Sequence, residues 1–252
     1  MKIKVLSFNI HKGLSPFNKS FSLEDIKEVI VAEGPDLVFL QEVTGENIKH
    51  EKKFDNWPTE KHYEFLADNI WTYYSYAHNA VYPHGHHGNL VLSKYPITSW
   101  ENFDISTNIM EKRGLLKANI EVITDQKDSI TLNTFNTHLN LLQLGRNKQF
   151  DKIKEEINKL SDPSAPLILA GDFNDWNTKA ISFFKEHLEI NEVFHEIQGR
   201  TPKTFPSPFP IMSLDRIFYK NLRIINCYLL ESEKAKSMSD HLGIVAEFEI
   251  IK

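Results

Sequence analysis

In six short segments of this 252-residue chain, an apolar run begins or ends on a side chain able to do chemistry. Leu6-Ser7-Phe8-Asn9 ends in an amide, Val38-Phe39-Leu40-Gln41-Glu42 in a carboxylate, and Asn136-Thr137-His138-Leu139-Asn140 in an imidazole and an amide. The run from Leu167 closes on Asp172 and Asn174, Ser213-Leu214-Asp215-Arg216 opens a strand with an acid, and Ser239-Asp240-His241 precedes the last apolar run. Strand ends are where a rigid scaffold aims side chains from distant sequence positions into one cleft. Gathered there, Glu42, Asp172, Asn9, Asn174 and Asp240 would offer hard oxygen ligands beside His138 and His241, with Asp215 as an imidazole partner. Oxygen donors without cysteine suit Mg²⁺ or Mn²⁺, which keep room for water and a substrate phosphate. Hydrolysis of a phosphate ester then needs a group to align or deprotonate water and donors for the phosphoryl oxygens.

Elements able to position these groups recur along the chain. Runs rich in β-branched and aromatic residues predict strands at 3–9, 37–41, 90–93, 115–123, 130–137, 167–170, 214–219 and 244–250. Helical spacing falls between several of them. Ser22 with Asp25 three residues on reads as a helix start, Ile26, Val29 and Ile30 form its apolar face, and Gly34-Pro35 ends it. Further helices are expected at about 62–71, 145–160 and 179–187. Some neighbouring strands, such as 115–123 and 130–137, have only a polar turn between them, which argues for mixed sheets packed face to face and covered by helices. With no linker, repeat or low-complexity tract, one domain over 1–252 is the simplest reading.

The 29 Lys and Arg against 34 Asp and Glu leave a net charge of −5. Residues 1–126 carry 13 basic and 17 acidic side chains and residues 127–252 carry 16 and 17, so neither half hides a basic domain. That excludes nucleic-acid capture resting mainly on a basic surface. The single cysteine, Cys227, can form neither an internal disulfide nor a four-ligand zinc site and is expected as a buried free thiol. No secretory signal and no membrane-length apolar run is visible, so a cytoplasmic location is expected and no obligate protein partner is evident.

The ordered set Phe8-Asn9-Ile10, Leu40-Gln41-Glu42, Thr137-His138-Leu139-Asn140, Gly171-Asp172-Phe173-Asn174, Leu214-Asp215-Arg216 and Ser239-Asp240-His241 resembles the endonuclease/exonuclease/phosphatase superfamily. The resemblance implies a four-layer α/β sandwich, two mixed β-sheets flanked by helices, with divalent-metal-dependent cleavage of phosphate esters and no covalent enzyme intermediate. Carried over by position, Glu42 resembles the principal metal carboxylate, aided by Asn9 and Asp240. Asp172 resembles the aspartate that positions or deprotonates the attacking water, and Asn174 its orienting neighbour. His241 resembles the histidine on the scissile phosphate, with Asp215 as its carboxylate partner. His138 and Asn140 resemble phosphoryl-oxygen contacts, and Arg113 is a further phosphate-contact candidate. Nuclease members often carry an acid two residues after the strand-end asparagine, where this chain has His11, then Lys12 and Gly13. Through Asn9 to Gly13 and His86-His87-Gly88-Asn89 it resembles small stand-alone bacterial members.

The reaction expected is Mg²⁺-dependent hydrolysis of a phosphodiester by in-line attack of water. The alternatives are a DNA or RNA nuclease, a sphingomyelinase-like lipid phosphodiesterase or inositol-phosphate phosphatase, and a non-catalytic binding protein on the same scaffold. The partner is accordingly a phosphate ester of nucleic acid, lipid headgroup or small molecule. The 82–88 loop is read as irregular and substrate-lining, with Asn89 near the cleft. The proline-rich loop Thr204 to Pro210 is read as a packed connector or a cleft wall, with a lipid-facing lip as a third reading.

Overall fold

The computed structural model describes residues 1–125 and 127–250; positions 126, 251 and 252 of the expected 1–252 domain lie outside the described residues. In chain order the elements are β1 (Lys2–Asn9), α1 (Leu23–Glu33), β2 (Leu37–Asn47), α2 (Ile48–Glu51), α3 (His62–Ala67), β3 (Tyr73–Tyr82), β4 (Gly85–Ser93), β5 (Ile97–Asp104), β6 (Gly114–Ile123) and β7 (Ser129–His138). They continue with α4 (Gln143–Leu160), β8 (Leu167–Asp172), α5 (Lys179–Leu188), β9 (Asn191–Glu192), α6 (Val193–Gln198), β10 (Asp215–Lys220), β11 (Arg223–Leu229), α7 (Glu233–Met238) and β12 (Ile244–Glu249). Among the described residues these strands form two six-stranded sheets, ordered β11-β12-β1-β2-β4-β3 and β5-β6-β7-β8-β10-β9. Each sheet is mixed, with β1–β2 and β7–β8 parallel and the other pairs antiparallel.

Two-residue alternation decides what each strand buries. Ile3, Val5, Leu37 and Phe39 of one sheet meet Leu116, Ala118, Ile168, Ala170 and Ile217 of the other. The opposite faces take helices: Leu6, Phe8, Val38 and Leu40 pack under α1, α3 and α7, while Phe135, Leu169 and Phe218 pack under α4 and α5. The result is helix, sheet, sheet, helix. Each fully buried Ile, Leu or Phe contributes on the order of 1.5–3 kcal/mol, so three such layers hold the strand ends rigidly.

Local departures from expectation have local causes. Ser22 precedes α1 but caps it with its backbone carbonyl, which accepts from the Ile26 N–H; its side chain makes no capping bond. Gly34 ends the helix as expected, in the left-handed conformation at φ 69° with its N–H on the Ile30 carbonyl. The helix expected over 62–71 stops at Ala67, and Trp71 instead donates its indole N–H to the Pro35 carbonyl. Most of the stretch read as an irregular 82–88 loop is regular, because β3 and β4 pair from Tyr73↔Ser93 to Tyr82↔Gly85 and place His86 and His87 in a strand. Cys227 is a buried free thiol, as expected.

Candidate active site at one edge of the sandwich

The topology brings the six segments to one edge. β1 and β2 run parallel with Asn9 opposite Gln41, and β7 and β8 run parallel with His138 opposite Asp172. β10 is antiparallel to β8, so its first residue, Asp215, lies opposite Asp172. β12 is antiparallel to β1 with Ile244 opposite Ser7, which carries Ser239, Asp240 and His241 to the same end. Alternation also chooses the face. Asn9, Gln41, His138, Asp172 and Asp215 share the parity of Val5, Phe39, Leu132, Ala170 and Ile217, the residues between the sheets.

Glu42 has the opposite parity and reaches the site through a backbone irregularity. The pairing of β2 with β4 slips between Leu40↔Leu90 and Val43↔Gly88, leaving one extra residue on β2, and Glu42 stands there at φ 54°. A bulge of this kind re-aims a side chain, and a left-handed non-glycine residue stores strain at the position it serves. Below, a polar seam joins the sheets. Gln41 Nε2 donates to Asn136 Oδ1 at 2.8 Å, and Asn136 Nδ2 donates to the carbonyls of Leu40 and Leu90, both at 2.9 Å. Asn89 belongs to this seam, because its amide donates to the Gly114 and Asn136 carbonyls. Gly171 permits close approach of β7 and β8: a Cβ there would lie 1.9 Å from the Thr137 carbonyl oxygen.

Asp172 is the hub. Its Oδ1 accepts the Asn174 N–H at 2.9 Å, and its Oδ2 accepts from Asn9 Nδ2 at 3.0 Å, with His138 Nε2 at 3.4 Å and His241 Nε2 at 3.6 Å. Burial pushes the Asp172 carboxyl up; His241 pulls it back, Asp215 adds repulsion, and the net is about 6. His241 is buried too, which opposes its charge, but the Asp215 carboxylate on Nδ1 at 3.0 Å, with Asp172 and Asp240, outweighs burial and holds the imidazole up at about 10. His138 goes the other way. Burial and the Arg113 guanidinium keep it well below the usual histidine range, so its approach to Glu42 at 4.0 Å is that of a neutral ring.

The remaining expected residues divide. Arg113 lines a small cleft with Glu42, His87 and His138, and its Nε is buried without a partner. Asn174, at φ 49°, donates its amide to the Leu139 carbonyl and so ties the β8 loop to the β7 loop. Asn140 is buried, its Nδ2 on Thr107 and its Oδ1 accepting from Gln149; it braces neighbouring loops. Sequence reasoning missed Lys12, whose Nζ lies 2.9 Å from Glu42 Oε2 in an ion pair off the hydrogen-bond direction. Burial opposes the charge on both, yet their mutual attraction holds Lys12 up and Glu42 well below the usual carboxylate range. It also missed Arg216, fully buried, which donates to the carbonyls of Ser213, Asp215 and Asp175 and pins the loops bearing both site aspartates. A buried arginine directly after a strand-start acid was the available signal.

Two groups of atoms could hold a cation. Asp172, Asp215 and His241 bring ligand atoms within 4.8 Å of one another, but there the Nδ1 of a charged imidazole already faces Asp215. Glu42 Oε2 and Asp240 Oδ1 are buried oxygens that accept no hydrogen bond, and Asn9 Oδ1 beside them accepts only the His11 N–H at 3.0 Å. Two carboxylates, one with an unpartnered oxygen and one held only by the Lys12 ammonium, together with an amide oxygen fit a hard divalent cation.

A two-sheet sandwich carrying this acid, amide and imidazole constellation at one edge defines a class of phosphate-ester hydrolases. The chain belongs to the Endonuclease/Exonuclease/phosphatase family, whose model matches residues 6–241; its members typically hydrolyse phosphate esters and generally use divalent metals. It is 40% identical over 247 residues to the uncharacterized protein YbhP of Escherichia coli K12, covering 98% of this chain and 96% of that one. The endonuclease/exonuclease/phosphatase of Beutenbergia cavernae superposes with a TM-score of 0.80 at 19% identity, covering 99% of this chain and 72% of that one. The Bacteroides thetaiotaomicron mannosyl-6-phosphatase Bt3783 superposes with a TM-score of 0.72 at 16% identity, covering 98% and 99%.

Proposed function

We propose that the protein is a Mg²⁺-dependent phosphodiesterase that cleaves its substrate by direct in-line attack of water, Mn²⁺ serving in place of Mg²⁺. The observation that carries this reading is the hub geometry: one aspartate oxygen held by Asn9 and faced by the ring nitrogens of His138 and His241, with Glu42, ion-paired to Lys12, and the unpartnered Asp240 Oδ1 at the same edge. Held by Glu42, Asn9 and Asp240, the cation supplies Lewis-acid polarisation of a phosphoryl oxygen and stabilisation of the leaving oxygen. Asp172, with a pKa near 6, aligns the attacking water and accepts its proton. His241 stays an imidazolium through neutral pH and donates from Nε2 toward the developing charge while Asp215 holds its Nδ1. Neutral His138 and Arg113 contact the other phosphoryl oxygens.

Glu42→Gln and Asp172→Asn test the assignment against bis(p-nitrophenyl) phosphate with Mg²⁺, Mn²⁺ and chelator. Each should lower metal-dependent turnover by at least ~10²-fold with circular dichroism unchanged. Wild-type rates in both variants would overturn the roles of these two carboxylates.

A further inference from the structure

The loops around this edge carry large apolar side chains that nothing in the chain covers. Ile109 and Met110, 89% and 94% exposed, lie on the β5–β6 loop; Leu142 and Leu144, 71% and 81% exposed, follow directly on the His138–Asn140 segment. Phe209, 81% exposed, tips the proline-rich loop, and Phe17, 75% exposed, lines one groove with it, with Lys19 and with the ion pair of Lys236 and Glu233. The loops of all but Phe17 are tethered to the site. The Leu141 N–H donates to Glu111, Asn140 Nδ2 to Thr107, and the Ser207 N–H to the carbonyl of Asp240.

Charge follows the same edge. Lys19, Lys112, Lys148 and Lys179 are exposed in segments 11–20, 105–113, 139–148 and 173–179, where the two acids, Glu111 and Asp175, are half-buried and buried, in a chain whose net charge is −5. Exposed apolar side chains on one rim, set among cations, match a surface that offers hydrocarbon below and anions above. Nucleobases fit less well. Stacking on single-stranded nucleic acid needs ring faces, and four of the six side chains named are aliphatic.

We propose that this edge docks on an anionic phospholipid bilayer, the rim entering the headgroup boundary and the cations meeting lipid phosphates, so that the diester presented to the site is a phospholipid's own. The docking stands on the rim alone; the choice of substrate rests on the phosphodiesterase reading. Water oxygen would bond to phosphorus, one of the two ester P–O bonds would break, and the departing alcohol would carry the proton that the water gives up. No helix among the described residues is long and apolar enough to cross a membrane, and none is needed for docking of this kind.

The experiment uses a fivefold variant, Ile109→Ser, Met110→Ser, Leu142→Ser, Leu144→Ser and Phe209→Ser, with thermal denaturation to verify the fold. Cosedimentation is measured with vesicles of phosphatidylcholine alone and of phosphatidylcholine mixed with phosphatidylglycerol, and with a fluorescent single-stranded oligonucleotide. Wild-type protein should sediment with the mixed vesicles, less so as salt rises, and the variant should partition at least ~10-fold more weakly. Turnover of bis(p-nitrophenyl) phosphate should be unchanged. Absence of wild-type sedimentation, equal sedimentation of the variant, or a loss confined to the oligonucleotide would each overturn the proposal. A wild-type protein that sediments but hydrolyses no diester would leave the docking standing and refute the phosphodiesterase reading.

Discussion

Replacing Asp215 by Asn should uncouple the charge of His241 from its position. The carboxylate lies 3.0 Å from Nδ1, and at an effective dielectric of about 20 a unit charge at that distance is worth roughly 5–6 kcal/mol, or ~4 pH units. The elevation, from 6.5 to about 10, is what remains after burial opposes the charge and Asp172 and Asp240 assist Asp215. Asparagine keeps an oxygen for the Nδ1–H and removes the charge, leaving Asp172 at 3.6 Å as the nearest acid. The imidazole should therefore fall by at least ~2 pH units. With the imidazolium as the proposed active form, the wild-type basic limb belongs near 10, whereas the variant should lose activity as pH rises through about 7 to 8. At pH 8.5 that is a loss of roughly 4- to 30-fold beyond any loss at pH 6. The assay is a pH–rate profile on a soluble diester, paired with ¹⁵N resonances of the His241 ring followed through the titration. An unmoved basic limb together with an unmoved ring titration would refute the claim that Asp215 holds the charge, even if overall activity fell.

Two further perturbations read different parts of the molecule. Lys12→Met removes the cation at 2.9 Å from Glu42; calorimetric titration with Mn²⁺ should show binding roughly 10-fold tighter, and weaker binding would mean that Lys12 helps to hold the metal. His62 is buried with neither ring nitrogen partnered, and burial, then the charge of His50, push it down to about 3. An unfolded histidine takes up its proton near 6.5, so the stability that the neutral ring preserves is complete above that pH and is lost as pH falls from about 6.5 toward 3. At pH 5 the loss is on the order of 2 kcal/mol, and His62→Leu should flatten the urea midpoint between pH 7 and 5; an unchanged slope would place the acid lability elsewhere.

The parts of the fold that could be read from sequence are those that bury a face. Alternation marks β1, β2, β7 and β8 because the same residues that fill the space between the sheets carry Asn9, Gln41, His138 and Asp172 at their ends. Helical spacing marks α1, α4 and α5 for the same reason. The missed strands, β3, β5, β9 and β11, are the four sheet edges; β5, with Thr98 to Glu101 exposed, and β11, with Ile225 and Asn226 exposed, pair through their backbones and show little apolar alternation. Glu42 could be read as a carboxylate but not as a bulge, since the slipped register that aims it depends on β4, which lies some fifty residues further on. Lys12 could not be read at all. It stands beside Glu42 only because His11 and Lys12 both adopt positive φ, 46° and 59°, which nothing in a His-Lys pair announces.

The net charge of −5 conceals a division of labour. The floor of the site is acidic, and most of its acids are engaged: Asp215 with the His241 ring and Glu42 with Lys12, while Asp240 Oδ1 accepts no hydrogen bond. The collar is cationic and studded with exposed hydrocarbon. A phosphodiester fixed in an apolar, anionic sheet satisfies both demands at once, because the collar takes the sheet and the floor takes the one phosphate lifted into it. A freely soluble diester satisfies only the floor, and the apolar rim would then stay in water with nothing to gain from being there. On the docking proposal, the rim and its exposed lysines are functional features of the same order as the proposed roles of Asp172 and His241, although no single residue in them takes part in the chemistry.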